Sequence, residues 1–118
     1  MPHVVIAGPA SVERFAEAFS PFGEREGGSV LKAVDVYVSQ NRRNALVESL
    51  VVEGGRARSF FVHVGQHEGS VTVRLSPLTD PEKTDGVKRL MALVARQVKG
   101  QDPACAYGKT NLQPFLIP

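Results

Sequence analysis

The chain has 118 residues, enough for one domain with a hydrophobic core that needs no disulfide or metal staples. Its 42% hydrophobic and 22% charged residues exclude a disordered or fibrous protein, and a formal charge of +2 is too small to announce a nucleic-acid partner. The single cysteine, Cys105, cannot form an internal disulfide and suits a reducing compartment; with no basic leader and no apolar run of membrane-spanning length, the sequence points to a cytoplasmic protein.

Val4, Val5, Ile6 and Ala7 are uniformly apolar, the pattern of an interior strand buried on both faces. Gly8 and Pro9 break it. Ser11 is suited to cap a helix in which Val12, Phe15, Ala16, Phe19 and Phe22 share one stripe. Pro21 removes a backbone donor and ends regular helix, and residues 23–28 read as a polar, glycine-containing connection. From Val30 the period is two, with Val34, Val36 and Val38 on one side and Asp35, Tyr37 and Ser39 on the other. Residues 40–44 turn the chain. Residues 45–52 fit either a helical stripe or a strand; strand is favoured because Val51 and Val52 lead through Gly54 and Gly55 into residues 58–64 as a hairpin. Residues 66–69 make another turn, and residues 71–75 close a four-stranded meander.

Thr79, Pro81 and Glu82 have the spacing of a capping box with proline in the first turn, which predicts a helix start there. Val87, Leu90, Met91, Val94 and Val98 form its apolar stripe, Lys88, Arg89, Arg96 and Lys99 its basic outer face, and Gly100 its stop. Residues 101–118 form an extended C-terminal tail, able to pack as an arm or short strand on this domain or on a neighbouring subunit. The expected fold is a single α+β domain over residues 1–118, a two-layer sandwich of a mostly antiparallel sheet with two helices on one face.

The strongest catalytic candidate is Pro2. Freed of the initiator methionine it becomes a secondary amine, and an α-amino group titrates at about 7.7 to 8.0 even unperturbed. Apolar walls would lower that value further, towards the range a base needs for taking a proton beside a carbonyl. The opening Met1-Pro2-His3-Val4-Val5-Ile6 resembles the start of the tautomerase superfamily, in its 5-carboxymethyl-2-hydroxymuconate isomerase and macrophage migration inhibitory factor branches. Phe61-Val62-His63-Val64 is similar to a strand segment of the isomerase branch. The resemblance implies a β-α-β-β-α-β subunit, a trimer, no cofactor, and Pro2 as general base on an enol or unsaturated acid. Members of this superfamily generally hold the substrate carboxylate with arginine or another donor. Residues 34–38, the nearest counterpart of the second strand, contain none, so the small acidic substrate would be oriented by Arg42, Arg43 or Arg58.

The remaining constellations carry less. His63, His67 and Glu68 do not share a strand face and lack a fourth ligand, so no metal is expected. Gly108, Lys109 and Thr110 echo a phosphate loop, but Pro103 stands where its first glycine belongs. Cys105 has no histidine nearby in sequence and reads as structural. Beside the isomerase reading stands a non-enzymatic binding or assembly module, using the sheet, the basic helix face and the apolar tail to contact another protein or its own copy.

Overall fold

The computed structural model describes residues 1–118. Along the chain run β1 (His3–Ala7), α1 (Val12–Ala18), β2 (Phe22–Glu26), β3 (Ser29–Val38), β4 (Asn44–Glu53), β5 (Arg56–His67), β6 (Ser70–Leu75), α2 (Asp85–Lys99) and β7 (Ala106–Thr110), followed by a 3-10 turn at Gln113–Phe115. The strands form one sheet in the order β2-β3-β4-β5-β6-β1-β7, and every pairing is antiparallel. The α+β class and the antiparallel pairing expected from the sequence hold, and residues 45–52 are strand. The sheet curls into a half-barrel about α2, which touches β3, β4, β6 and β1. No helix is long and apolar enough to cross a membrane.

One face of the sheet supplies the core. Val4 and Ile6, Ala45 and Val47, Phe60, Val62 and Val64, and Val71, Val73 and Leu75 alternate inward along β1, β4, β5 and β6. They join Val12 and Phe15 of α1 and Val87, Leu90, Met91, Val94 and Val98 of α2 in one cluster. The periods of two and 3.6 bring these side chains to a common interior, where their removal from water stabilises the fold.

Four local expectations are corrected. β1 is interior to the sheet but not buried on both faces: His3 and Val5 are only half-buried, because no layer covers the outer side. The polar connection at residues 23–28 contains β2, an edge strand whose Gly-Glu-Arg-Glu run carries the charges that keep an exposed edge from pairing with other chains. In β3 a bulge between Ala33 and Asp35 breaks the alternation, so Leu31, Ala33 and Val36 face the core while Val34 is exposed.

α2 begins at Asp85 rather than near Thr79, with Thr84 as its cap, the hydroxyl oxygen accepting from Val87 N–H. The capping box loses to tertiary bonds. Thr79 Oγ1 accepts from Phe61 N–H, holding the segment against β5, while Glu53 accepts from the Thr84 hydroxyl at 2.5 Å and from Gly86 N–H at 2.9 Å. The tail resolves into β7, paired with β1 of its own chain.

Candidate functional site

The outer face of the sheet has no helix over it, and the register sets a line of side chains across it. Tyr37 lies opposite Leu46, Leu46 opposite His63, His63 opposite Arg74, and Arg74 opposite His3. Five neighbouring strands at the usual spacing give this row a length of about 19 Å. Strand alternation sends all five side chains outward, away from the core.

At the centre is His63. Its Nε2 lies 2.9 Å from Asn44 Oδ1, and its Nδ1 lies 3.4 Å from Arg74 Nε. Both contacts are satisfied by the neutral tautomer in which Nε2–H donates to Asn44 and Nδ1 accepts from Arg74. Burial in the groove, then the positive charges of Arg74 and His67, hold the imidazole below its ordinary value of 6.5. The ring lies over Gly65, where a β-carbon would stand 2.8 Å from Cε1. The absent side chain makes the seat.

Around this centre is a groove of about 400 Å³, walled by Tyr37, Val38 and Leu46 on one side and by Ser76, Pro77 and Leu78 on the other. The second wall exists because the chain does not leave the sheet after β6. Ser76 N–H donates to Phe61 O, Leu78 N–H to Ser76 Oγ, and Phe61 N–H to Thr79 Oγ1, standing this turn beside β5. Leu78 is 77% exposed and Tyr37 51% exposed, large apolar surface at the rim of a concavity. Arg74 has no acidic partner; the ion pairs of the molecule use Arg42, Arg58, Lys83 and Arg89.

The residues singled out by sequence do not converge. Pro2 is buried beside Lys83, Lys88, Asn111 and Leu112 in a separate hollow of about 290 Å³. Met1 O accepts from Asn111 Nδ2 at 2.8 Å and lies 3.1 Å from His3 Nδ1. Arg42 and Arg43 occupy the β3–β4 hairpin, where Arg42 has a left-handed backbone (φ 60°) and stands 3.9 Å from Glu13. Their hollow is shared with Ser11, Asn41, Gln66 and His67 and has no apolar wall. It lies level with the far end of β1, about 15 Å along the strands from Pro2. Arg58 is 3.6 Å from both Glu53 and Glu82 with its side chain only 17% exposed, so it ties β5 to the approach of α2. None of these arginines lines the Pro2 hollow.

The basic face of α2 is likewise engaged. Arg89 Nε donates to Glu26 Oε2 at 2.7 Å, Lys88 Nζ stands 5.9 Å from the Phe115 ring centroid, and Lys99 Nζ stands 5.4 Å from that of Tyr107. Cys105 is buried where β7 begins.

In the sequence His63 stands out only as a rejected metal ligand and within Phe61-Val62-His63-Val64, and Arg74 lies unmarked in the last strand of the meander. The available signal was the outward side of the alternation, which mixes Leu46, Phe61 and His63 with charges. Its meaning depends on register across strands. No protein-family model, curated protein or solved structure matches the chain.

Proposed function

We propose that the chain is a binding module that receives its ligand on the open face of the sheet, in the groove between Tyr37, Val38 and Leu46 and the Ser76, Pro77 and Leu78 turn. The observation that carries this reading is Arg74, a guanidinium with no acidic partner held against His63 in a groove with apolar walls. Pockets of this kind, mostly apolar with a few convergent polar groups, are where small ligands bind. The test is a set of amide spectra of the isotope-labelled protein taken with a library of small organic fragments. Shifts confined to residues 37–39, 44–46, 63 and 74–78 support the reading; shifts only elsewhere, or none, overturn it.

A second reading keeps Pro2 as a tautomerase-type general base, in a self-associating cytoplasmic protein with a two-layer subunit. It is favoured by the setting of Pro2, buried in a hollow that Lys83 and Lys88 also line. Once Met1 is removed, burial and the positive charge of Lys88 disfavour the charged form of the proline amine, while Lys83 is neutralised by Asp80. In this version Lys88 takes the clamping role first sought in Arg42, Arg43 or Arg58. Intact mass of protein from its native host tests the first requirement, since a retained Met1 leaves Pro2 as an amide without basicity. If Met1 is absent, Pro2→Ala is expected to abolish phenylpyruvate tautomerisation, and unchanged turnover counts against the base.

A further inference from the structure

The groove has a more specific chemistry than an apolar hollow, and the ligand class assigned to it rests on its being the binding site. Arg74 donates through Nε to His63, which leaves both terminal amino groups without a protein acceptor. Those two nitrogens are the edge that a carboxylate meets with two parallel hydrogen bonds. The other cations do not combine this with apolar walls. Arg42 and Arg43 line a wholly polar hollow, and Arg89 is paired with Glu26.

Charge limits what can sit there. His63 is held as a neutral donor to Asn44, so the groove presents one full positive charge. On β4, next along the same face from Leu46, Glu48 accepts from the Tyr37 hydroxyl at 2.7 Å, which sets a carboxylate behind the Tyr37 wall. A dianion such as phosphate would be half-neutralised. A monoanion would be matched. A volume of about 400 Å³ suits a body of roughly one aromatic ring and a short chain.

We infer that the groove takes a small organic monocarboxylate with an apolar body, of the arylalkanoate kind, its carboxylate on Arg74 and its body against Tyr37, Leu46 and Leu78. Removing the charge of either partner is expected to weaken binding roughly tenfold or more, the usual worth of a charge-assisted hydrogen bond.

Calorimetric titration of the full chain with 3-phenylpropionate, 3-phenylpropionamide and inorganic phosphate tests this, alongside Arg74→Gln, whose exposed side chain can change without disturbing the core. The acid is expected to bind wild-type protein, the amide and phosphate at least roughly tenfold more weakly, and R74Q to lose the acid while keeping its wild-type circular dichroism. Equal binding of acid and amide, or an R74Q variant that binds the acid as wild type does, overturns the carboxylate assignment. If neutral fragments still shift the groove amides in that case, the groove remains the site and only its ligand class falls; if no probe shifts them, both fall together. A hydrophobic peptide with a free C-terminal carboxylate that binds more tightly than the acid would overturn the small-molecule occupant.

Discussion

The imidazole of His63 occupies the space that a side chain at position 65 would fill, its Cε1 2.8 Å from where a β-carbon on Gly65 would stand. The two residues lie on the same outward face of β5, so the missing side chain of one makes room for the ring of the other. Gly65→Ala is expected to push the ring off Asn44 and into water. Because the clashing atom belongs to a movable side chain, and alanine lowers the freedom of the unfolded chain, stability should change by no more than about 1 kcal/mol. The His63 titration followed by NMR should move up towards 6.5, since its largest cause of depression is burial. An unchanged titration would refute this account of the seat.

The same depression makes stability depend on pH with a definite sign. The unfolded chain takes up the His63 proton near 6.5, whereas the folded chain resists it until lower pH, under burial and the charges of Arg74 and His67. The contribution is therefore fully present above about 6.5 and is lost as pH falls through the folded value. Urea unfolding of wild type and His63→Gln between about pH 7.5 and about pH 5 should show a steeper loss in wild type on acidification, a window chosen to stay above most carboxylate titrations. Parallel curves would mean that His63 does not carry the slope.

Binding in the groove should show the opposite trend. A carboxylate beside His63 favours its protonated form, so affinity for 3-phenylpropionate is expected to rise as pH falls through the His63 value while the acid itself stays ionised. His3, opposite Arg74 in the register, and Glu48 behind the Tyr37 wall share this face and bound the size of the effect. Affinity that is flat with pH in wild type, or equally steep in His63→Gln, would exclude His63 from the site.

Glu53 is a joint between sheet and helix. Its carboxylate accepts from the Thr84 hydroxyl and Gly86 N–H and lies 3.6 Å from Arg58. A β-carbon at Gly86 would stand 2.6 Å from Glu53 Cδ and 2.8 Å from Val51 Cγ1. Gly86→Ala should cost about 1–3 kcal/mol as overpacking, and Glu53→Ala a similar amount by leaving buried donors without an acceptor. The double variant should lose less than the sum, because both act on one contact. Denaturant unfolding of the set measures this, and strict additivity would contradict it.

Asn111 bridges the first strand to the last turn. Its Oδ1 accepts from His3 N–H at 2.9 Å and its Nδ2 donates to Met1 O at 2.8 Å. Asn111→Ala is expected to cost about 1 kcal/mol and to speed hydrogen exchange at the His3 amide, while amides in the middle of β5 keep their protection. Uniform loss of protection would show that the bridge is not local.

β5, β6 and the apolar stripe of α2 are readable because their period is set by the same burial that forms them, whereas β4 fits a helical stripe as well and only its hairpin with β5 marks it as strand. β2 is not readable, since an edge strand hides its type behind charges. The start of α2 was misplaced because Thr79 and Glu82 have a plausible local pattern that the distant Phe61 N–H overrides. The site was less legible still. Arg42, Arg43 and Arg58 were selected for charge, and charge alone does not distinguish an arginine in a salt bridge, such as Arg58, from one in a groove, such as Arg74. That distinction came from strand register, which places His63 between Leu46 and Arg74.

β1 is flanked by β6 and by β7, both far downstream, and its last tie is the bond from His3 to a residue 108 positions away. During synthesis the first strand is thus made long before either neighbour: it waits unpaired until residues 70–75 exist, and its second edge stays open until residues 106–110 follow. The final partner is also the weaker one: β7 is only five residues long and its register with β1 is interrupted between Val4 and Ile6. When it detaches, the edge it leaves on β1 is an apolar template open to the β7 of another molecule. Exchange of that strand between copies is the aggregation route this topology builds in, and crowding of newly made chains is the condition that would favour it.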